Sequence, residues 1–327
     1  MDVSDALVNA GLGRRQLLSG AATLLLLTAC SRAIPGVAAP EPPSRELVTD
    51  QGVVEVPLAP GRVAALDQHS VLTLLDLGIR PVATIGGLGT HLLPAHADIY
   101  QELPKVGDGR VDIQALAAVE PDLIIGSAAE STVEHGLADY QAIAPTVLLG
   151  GATGTTGWQT WATQVADAVG KRAELDQLAA QYQGRIAQLR AAFTGQLSGP
   201  SWAMVRAEGI GTWSMTPPSV SGGVVLHDLG ARFAQPAADP ATAGVPLSYS
   251  DLSLLDGANI ILWQQNVDGA TSEGMGALLD HPLWERIPAV AGTGDRPIRN
   301  YVATHFGAGL ALLGELEPIL ARIEMPR

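Results

Sequence analysis

Cysteine is almost absent from this chain of 327 residues: there is one, Cys30. A single thiol excludes an internal disulfide and any zinc cluster built on several thiolates. Basic residues are scarce too, 19 Lys and Arg against 33 Asp and Glu, for a formal net charge of −14. A nucleic-acid binder needs clustered Lys and Arg to neutralise phosphates, and a polybasic membrane patch needs the same, so both classes are disfavoured. Charged residues make up only 16% of the chain and hydrophobic ones 47%, a balance that argues against disorder outside the ends. A chain of this length suggests two domains or lobes, large enough to bury cores without a disulfide or a structural metal.

Catalytic signatures are missing as well. No G-x-S-x-G elbow occurs; Ser221 precedes Gly222 and Gly223 but lacks the glycine two residues before it. There is no H-E-x-x-H, and no two of the seven histidines lie four apart. His91 and His96 are five apart in an expected loop, and His69, His91, Glu130 and Glu208 have no spacing that brings them together, so no metal site is assigned. No Walker A or G-x-G-x-x-G follows a strand, which leaves nucleotide binding without support. A secreted hydrolase is the competing reading from another class.

The lone cysteine has a context. Arg14-Arg15 precede an apolar stretch, 17–29, interrupted only by Ser19, Gly20, Thr23 and Thr28. That is short of the roughly 20 residues a membrane helix needs, but it has the build of a secretory signal. The paired arginines resemble a twin-arginine signal, and Leu27-Thr28-Ala29-Cys30 resembles a lipobox. The expected order is a signal peptide at 1–29, lipidation at Cys30, and a proline-bearing tether at 30–44 with Pro35, Pro40, Pro42 and Pro43.

Past the tether, 45–57 reads as a hairpin across Thr49-Asp50-Gln51-Gly52. A β-α rhythm follows: strands at 62–66, 81–85, 122–126 and 145–149, with helices at 71–77 and 111–119. Helical patterns then cover 158–169 and 172–193. In the second, Leu175, Leu178, Ala179, Tyr182, Ile186, Leu189 and Ala192 fall near one face. The rhythm resumes with strands at 202–206, 211–214, 259–263 and 296–301 and helices at 220–229, 250–255 and 308–323. The segments 111–126 and 247–263 share one pattern, a short helix running into a hydrophobic strand. The fold class is therefore α/β: two Rossmann-like lobes of parallel β-α units, at 45–157 and 196–327, joined by linking helices at 158–195.

Ordered pieces of the chain resemble the helix-linked bilobal substrate-binding proteins of ABC importers for ferric siderophores, haem and cobalamin. They are Leu74-Leu75-Asp76-Leu77-Gly78-Ile79-Arg80-Pro81-Val82, then Leu116-Ala117-Ala118-Val119-Glu120-Pro121-Asp122-Leu123-Ile124-Ile125, then Ile143-Ala144-Pro145-Thr146-Val147, then Pro282-Leu283-Trp284 with Ile287-Pro288-Ala289-Val290. The likeness covers about residues 46–324. It implies a class III periplasmic binding protein: a monomer with a stiff hinge, no enzyme activity and no cofactor, lipid-anchored on the outer face of the cytoplasmic membrane. Its ligand would be a ferric siderophore held between the lobes, with haem as the alternative. A non-transport envelope role on the same fold is a further alternative.

Ligands of α/β folds sit at the carboxyl ends of parallel strands, so the residues that follow each strand are the candidates. In the first lobe these are Gln68, His69, Gly87, His91, Ser127 and Glu130. In the second they are Arg206, Trp213, Ser221, Trp263, Gln264, Tyr301 and His305. Arg206 would pair with chelate oxygens, the aromatics would pack on flat parts, and Ser221-Gly222-Gly223 would open a helix with N–H groups toward the cleft. His69, His91, Tyr301 and His305 are the candidates for a haem axial ligand. In relatives, a glutamate on each lobe docks onto permease arginines. Those positions fall by spacing on Gln114 and Ser250, neither acidic, with Asp112 and Asp251 beside them as substitutes.

Overall fold

The computed structural model describes residues 43–49, 52–87, 92–128, 136–150, 157–239 and 242–324. The signal, Cys30, most of the tether, His91 and Glu130 lie outside the described residues.

Strands β1 (Ser44–Thr49) and β2 (Gly52–Pro57) pair antiparallel as the opening hairpin. Four further strands follow: β3 (Val63–Ala65), β4 (Ala83–Thr84), β5 (Leu123–Ser127) and β6 (Thr146–Leu149). They form an all-parallel sheet in the order β4-β3-β5-β6. Every residue of these strands is buried, as a parallel sheet covered on both faces requires. Helices α1 (Gln68–Asp76), α2 (Pro94–Glu102), α3 (Ile113–Ala118) and α4 (Leu137–Gln141) cover it. Helix α1 starts three residues before its hydrophobic pattern, because Asp67 caps it: its carboxylate accepts the Ser70 N–H and hydroxyl. Helix α2 went unread in the sequence, since His96, Asp98 and Gln101 dilute its apolar face.

Helices α5 (Trp158–Ala168) and α6 (Arg172–Ala192) follow, then the short α7 (Thr194–Ser198). At 21 residues α6 is about 32 Å long. Its buried residues Leu175, Tyr182, Ile186 and Leu189 join the core that also holds Trp202, Met204 and Leu312; Ala192, expected on this face, is exposed. Helix α5 serves two cores. Trp158, Ala162 and Ala166 pack with α6, while Trp161, Val165 and Val169 pack with β2, β3 and α1. The two sets are offset by three residues, about 60° around the helix, so they form adjacent stripes, with Val169 at the C-cap.

The second sheet has six strands: β7 (Ser201–Gly209), β8 (Thr212–Met215), β9 (Arg232–Phe233), β10 (Leu247–Ser248), β11 (Ile260–Gln264) and β12 (Asp295–Ile298). Its order is β10-β8-β7-β11-β12, with β9 beside β7. β7, β11, β12 and β9 run parallel, whereas β8 pairs antiparallel with both β7 and β10. The second sheet thus adds an antiparallel pair to the expected parallel β-α units: Ile210-Gly211 closes β7 onto β8 as a tight hairpin, and Gly211 supplies the positive φ of +87° that the turn needs. Helices α8 (Gly222–Asp228), α9 (Gln235–Ala238), α10 (Glu273–Leu279), α11 (Pro288–Ala291) and α12 (Phe306–Leu320), with a 3-10 helix at Tyr249–Leu255, complete the layers. Among the described residues no helix is long and apolar enough to cross a membrane.

Candidate ligand-binding site

Side chains alternate across a strand, so β7 presents two chemistries. Trp202 and Met204 point into the core shared with α6 and α12, while Ala203 and Val205 point into the opposite core with Trp213, Met215 and Trp284. Arg206 continues the Met204 face, pairs across the ladder with Ser214, and emerges where that core ends. There it meets the loop after β8 and the segment after β12. Together they wall a pocket of about 340 Å³ lined by Arg206, Ser214, Thr216, Ser221, Tyr301 and Thr304, with Met215, Val220 and Val302 as apolar wall.

Two glycines make this wall possible. A Cβ on Gly222 would stand 2.6 Å from the Tyr301 carbonyl oxygen, and one on Gly223 would stand 2.0 Å from that of Pro217. The glycines therefore let the start of α8 lie directly on the two pocket segments. Ser221 before them adopts φ of +51°, a left-handed backbone unusual outside glycine. The helix start does not offer its N–H groups as expected: those of Gly223 and Val224 donate to the carbonyls of Val220 and Ser221.

The polar groups of the pocket are mutually arranged. The Arg206 guanidinium contacts Glu208 at 2.8 Å, and Ser214 donates to the same carboxylate at 2.5 Å. The pocket's cation thus arrives already paired. The Tyr301 and Thr216 hydroxyls share a 2.6 Å hydrogen bond. Burial pushes the Tyr301 phenol above its ordinary range, against the opposing pull of the Thr216 bond and Arg206. Tyr301 is accordingly a neutral phenol at ordinary pH. A phenolate ligand for haem iron would have to overcome that burial.

Of the residues expected at the cleft, the pocket brings together Arg206, Ser221 and Tyr301. Trp213 is corrected: it is fully buried on the opposite face of the sheet, and its indole N–H donates to the Ser248 carbonyl at 2.9 Å. A one-residue offset along β8 decides this, since Ser214 faces the pocket and Trp213 cannot. Trp263, opposite Val205 in the ladder, shares the Trp213 face and bonds Asp295. Gln264 is half-buried at the end of β11. His305 is also corrected. It is 1% exposed and turned away, with Nδ1 held 2.8 Å from Asp76.

In the first half, Ser127 is buried at the end of β5. Gln68 and His69 form the first turn of α1 rather than a loop, with the His69 ring 5.3 Å from Trp161. Gly87 is exposed with φ of +82°. Thr216 and Thr304 were missed in the sequence. Their signal, one small polar residue just past a strand, is too common to stand out. The docking candidates all lie at the start of a helix, as its cap or in its first turn. Asp112 accepts the N–H groups of Gln114 and Ala115. Asp251 accepts the Ser248 N–H and hydroxyl, which hold its carboxyl below the usual range. Ser250 bonds Ser248, and Gln114 is exposed.

The profile of a family described as "Periplasmic binding protein" matches residues 63–293. A curated relative, "Probable siderophore-binding lipoprotein YfiY" of Bacillus subtilis strain 168, is 29% identical over 137 residues, a stretch that spans 41% of each chain. Among solved structures, the siderophore periplasmic binding protein from the fuscachelin gene cluster of Thermobifida fusca superposes with a TM-score of 0.72 at 24% identity. That match covers 82% of this chain and 99% of the other. Staphylococcus aureus SirA complexed with staphyloferrin B superposes at 0.69 and 18% identity, covering 86% and 99%.

Proposed function

The chain belongs to the periplasmic binding protein family, and from that premise we propose that it captures a ferric siderophore outside the cytoplasmic membrane and delivers it to an ABC importer. The pocket beside Arg206 carries the reading. A ferric siderophore presents chelating oxygens of partial or full negative charge around a metal it already holds. The pocket offers one guanidinium, a neutral phenol and hydroxyls from Ser214, Thr216, Ser221 and Thr304, which suit oxygen-rich surfaces without displacing the iron. Because Glu208 already neutralises Arg206, a neutral or weakly anionic chelate is accommodated more easily than a polyanion.

Two relatives whose names state siderophore binding support the same reading. Capture is reversible and needs no bond chemistry: ligand stabilises the loaded conformation by differential affinity, and a permease reads that state. A haem ligand is disfavoured by the neutral Tyr301 and the sequestered His305. The family is one of solute binders rather than enzymes. A lipid anchor at Cys30 completes the reading, and Cys30→Ala should move the protein from the membrane fraction to the soluble one.

Tryptophan fluorescence decides the ligand class. Ferric siderophores should quench at micromolar concentration, while haem and cobalamin should not. Absence of quenching by every siderophore type, hydroxamate, catecholate and carboxylate, would overturn the proposal.

A further inference from the structure

Three residues far apart in sequence meet outside the pocket's lining. Asp76 ends α1, His96 lies on α2, and His305 immediately precedes α12. One ligand atom from each lies within 4.8 Å of the other two. The shortest carboxylate–nitrogen separations are 2.8 Å to His305 and 3.5 Å to His96, and the imidazole centroids are 5.4 Å apart. All three side chains are buried, His305 most deeply.

A hydrogen-bond network alone leaves this cluster incomplete. Asp76 also accepts the Gly307 N–H at 2.8 Å, so its role in seating α12 is clear. Yet among the described residues no Lys or Arg ion pair to Asp76 is present; the nitrogens that face it are Nε2 of His96 and Nδ1 of His305. A buried carboxylate facing two imidazoles without a full cation is a costly arrangement. It is also the donor set, two histidines and a carboxylate, that divalent zinc and its neighbours favour.

We propose that Asp76, His96 and His305 bind one first-row transition-metal dication of the zinc type, which clips α12 to α1 and α2. A tetrahedral site with bonds of about 2.1 Å requires ligand atoms about 3.4 Å apart. The two shortest separations, one to each carboxylate oxygen, bracket that value, and one ligand atom from each residue lies within 4.8 Å of the other two. The Gly307 N–H orients the carboxylate from behind. Thr304, the neighbour of His305, lines the pocket, so the metal would also fix that wall. Nothing in this depends on which ligand the pocket takes.

The test uses the full chain without a histidine tag, stripped with chelator and dialysed, then titrated with zinc chloride by calorimetry. One equivalent should bind with a dissociation constant tighter than about 10 µM, and zinc should raise the melting temperature. Cobalt should give the visible absorption of a tetrahedral site. His96→Ala should weaken binding at least about tenfold, with the metal-free melting temperature measured beside it because His96 is buried and its ring lies 5.4 Å from that of His305. His305→Gln should do the same to binding, and if it fails to fold, His96→Ala alone decides. No zinc binding by wild type, or unchanged affinity in the His96 variant, would overturn the site.

Discussion

Arg206 shows how a single residue's meaning depends on its partner. As a lone cation in an acidic chain it suggests attraction for an anion. Paired with Glu208 and Ser214, it is a positioned donor whose charge is largely offset. Arg206→Gln should weaken ferric siderophore binding about tenfold or more, the loss of a charged hydrogen bond, while Trp213→Phe should leave affinity unchanged and lower the melting temperature. Fluorescence titration of both variants checks this, and the reverse pattern would return Trp213 to the site. Asp67 provides a pH prediction. Burial raises its carboxyl from 3.8 to about 6, outweighing the hydrogen bonds from Ser70 and His69 that lower it. The folded state then binds a proton more tightly than the unfolded one. The stability gained by keeping Asp67 neutral is full below pH 3.8 and is lost as the pH rises through 6. Asp67→Asn keeps the helix cap without that titration. Its stability relative to wild type should therefore improve as the pH rises from 4 to about 6.5, read from denaturant midpoints.

At the scale of elements, α8 and α6 carry testable weight. Gly223→Ala must push the Pro217 segment away. It should lower the melting temperature by several degrees and weaken ligand binding together, since the displaced segment is a pocket wall; intact binding would detach α8 from the site. Tyr182, buried on α6, donates to Asp228 of α8 at 2.8 Å. Tyr182→Phe should cost about 1 kcal/mol with no effect on affinity, measured by urea unfolding and fluorescence. The elements themselves were largely legible in the sequence, because strand and helix periods are local. Boundaries were less so: α1 begins earlier at its Asp67 cap, and β12 stops at Ile298, so Tyr301 belongs to a loop. Elements with short or diluted patterns, α2, α4, α7, α9, α10, α11, β9 and β10, were not visible.

At the scale of the molecule, α5 limits motion. One helix feeds Trp158 into one core and Trp161 into another, and the Asp76–His305 contact ties α1 to α12. Opening the molecule would expose both cores, so ligand should shift the packing little. Small-angle scattering should show a radius of gyration unchanged within about 1 Å on loading; a larger change would mean that α5 bends.

The sequence by itself determined the α/β class, the parallel first sheet, the long helix between the halves and the family resemblance. Periodicity, capping and turn chemistry are short-range properties, read within a few residues. The lone cysteine, the opening scarcity, belongs to the same local category, as a motif beside an apolar stretch. Only the tertiary structure decided which residues share a site. It turned Ser214 rather than Trp213 toward the pocket, and took His305 from the pocket to join Asp76 and His96, more than 200 residues earlier. Side-chain partnership across such separations follows from strand register and helix packing, which no local pattern encodes.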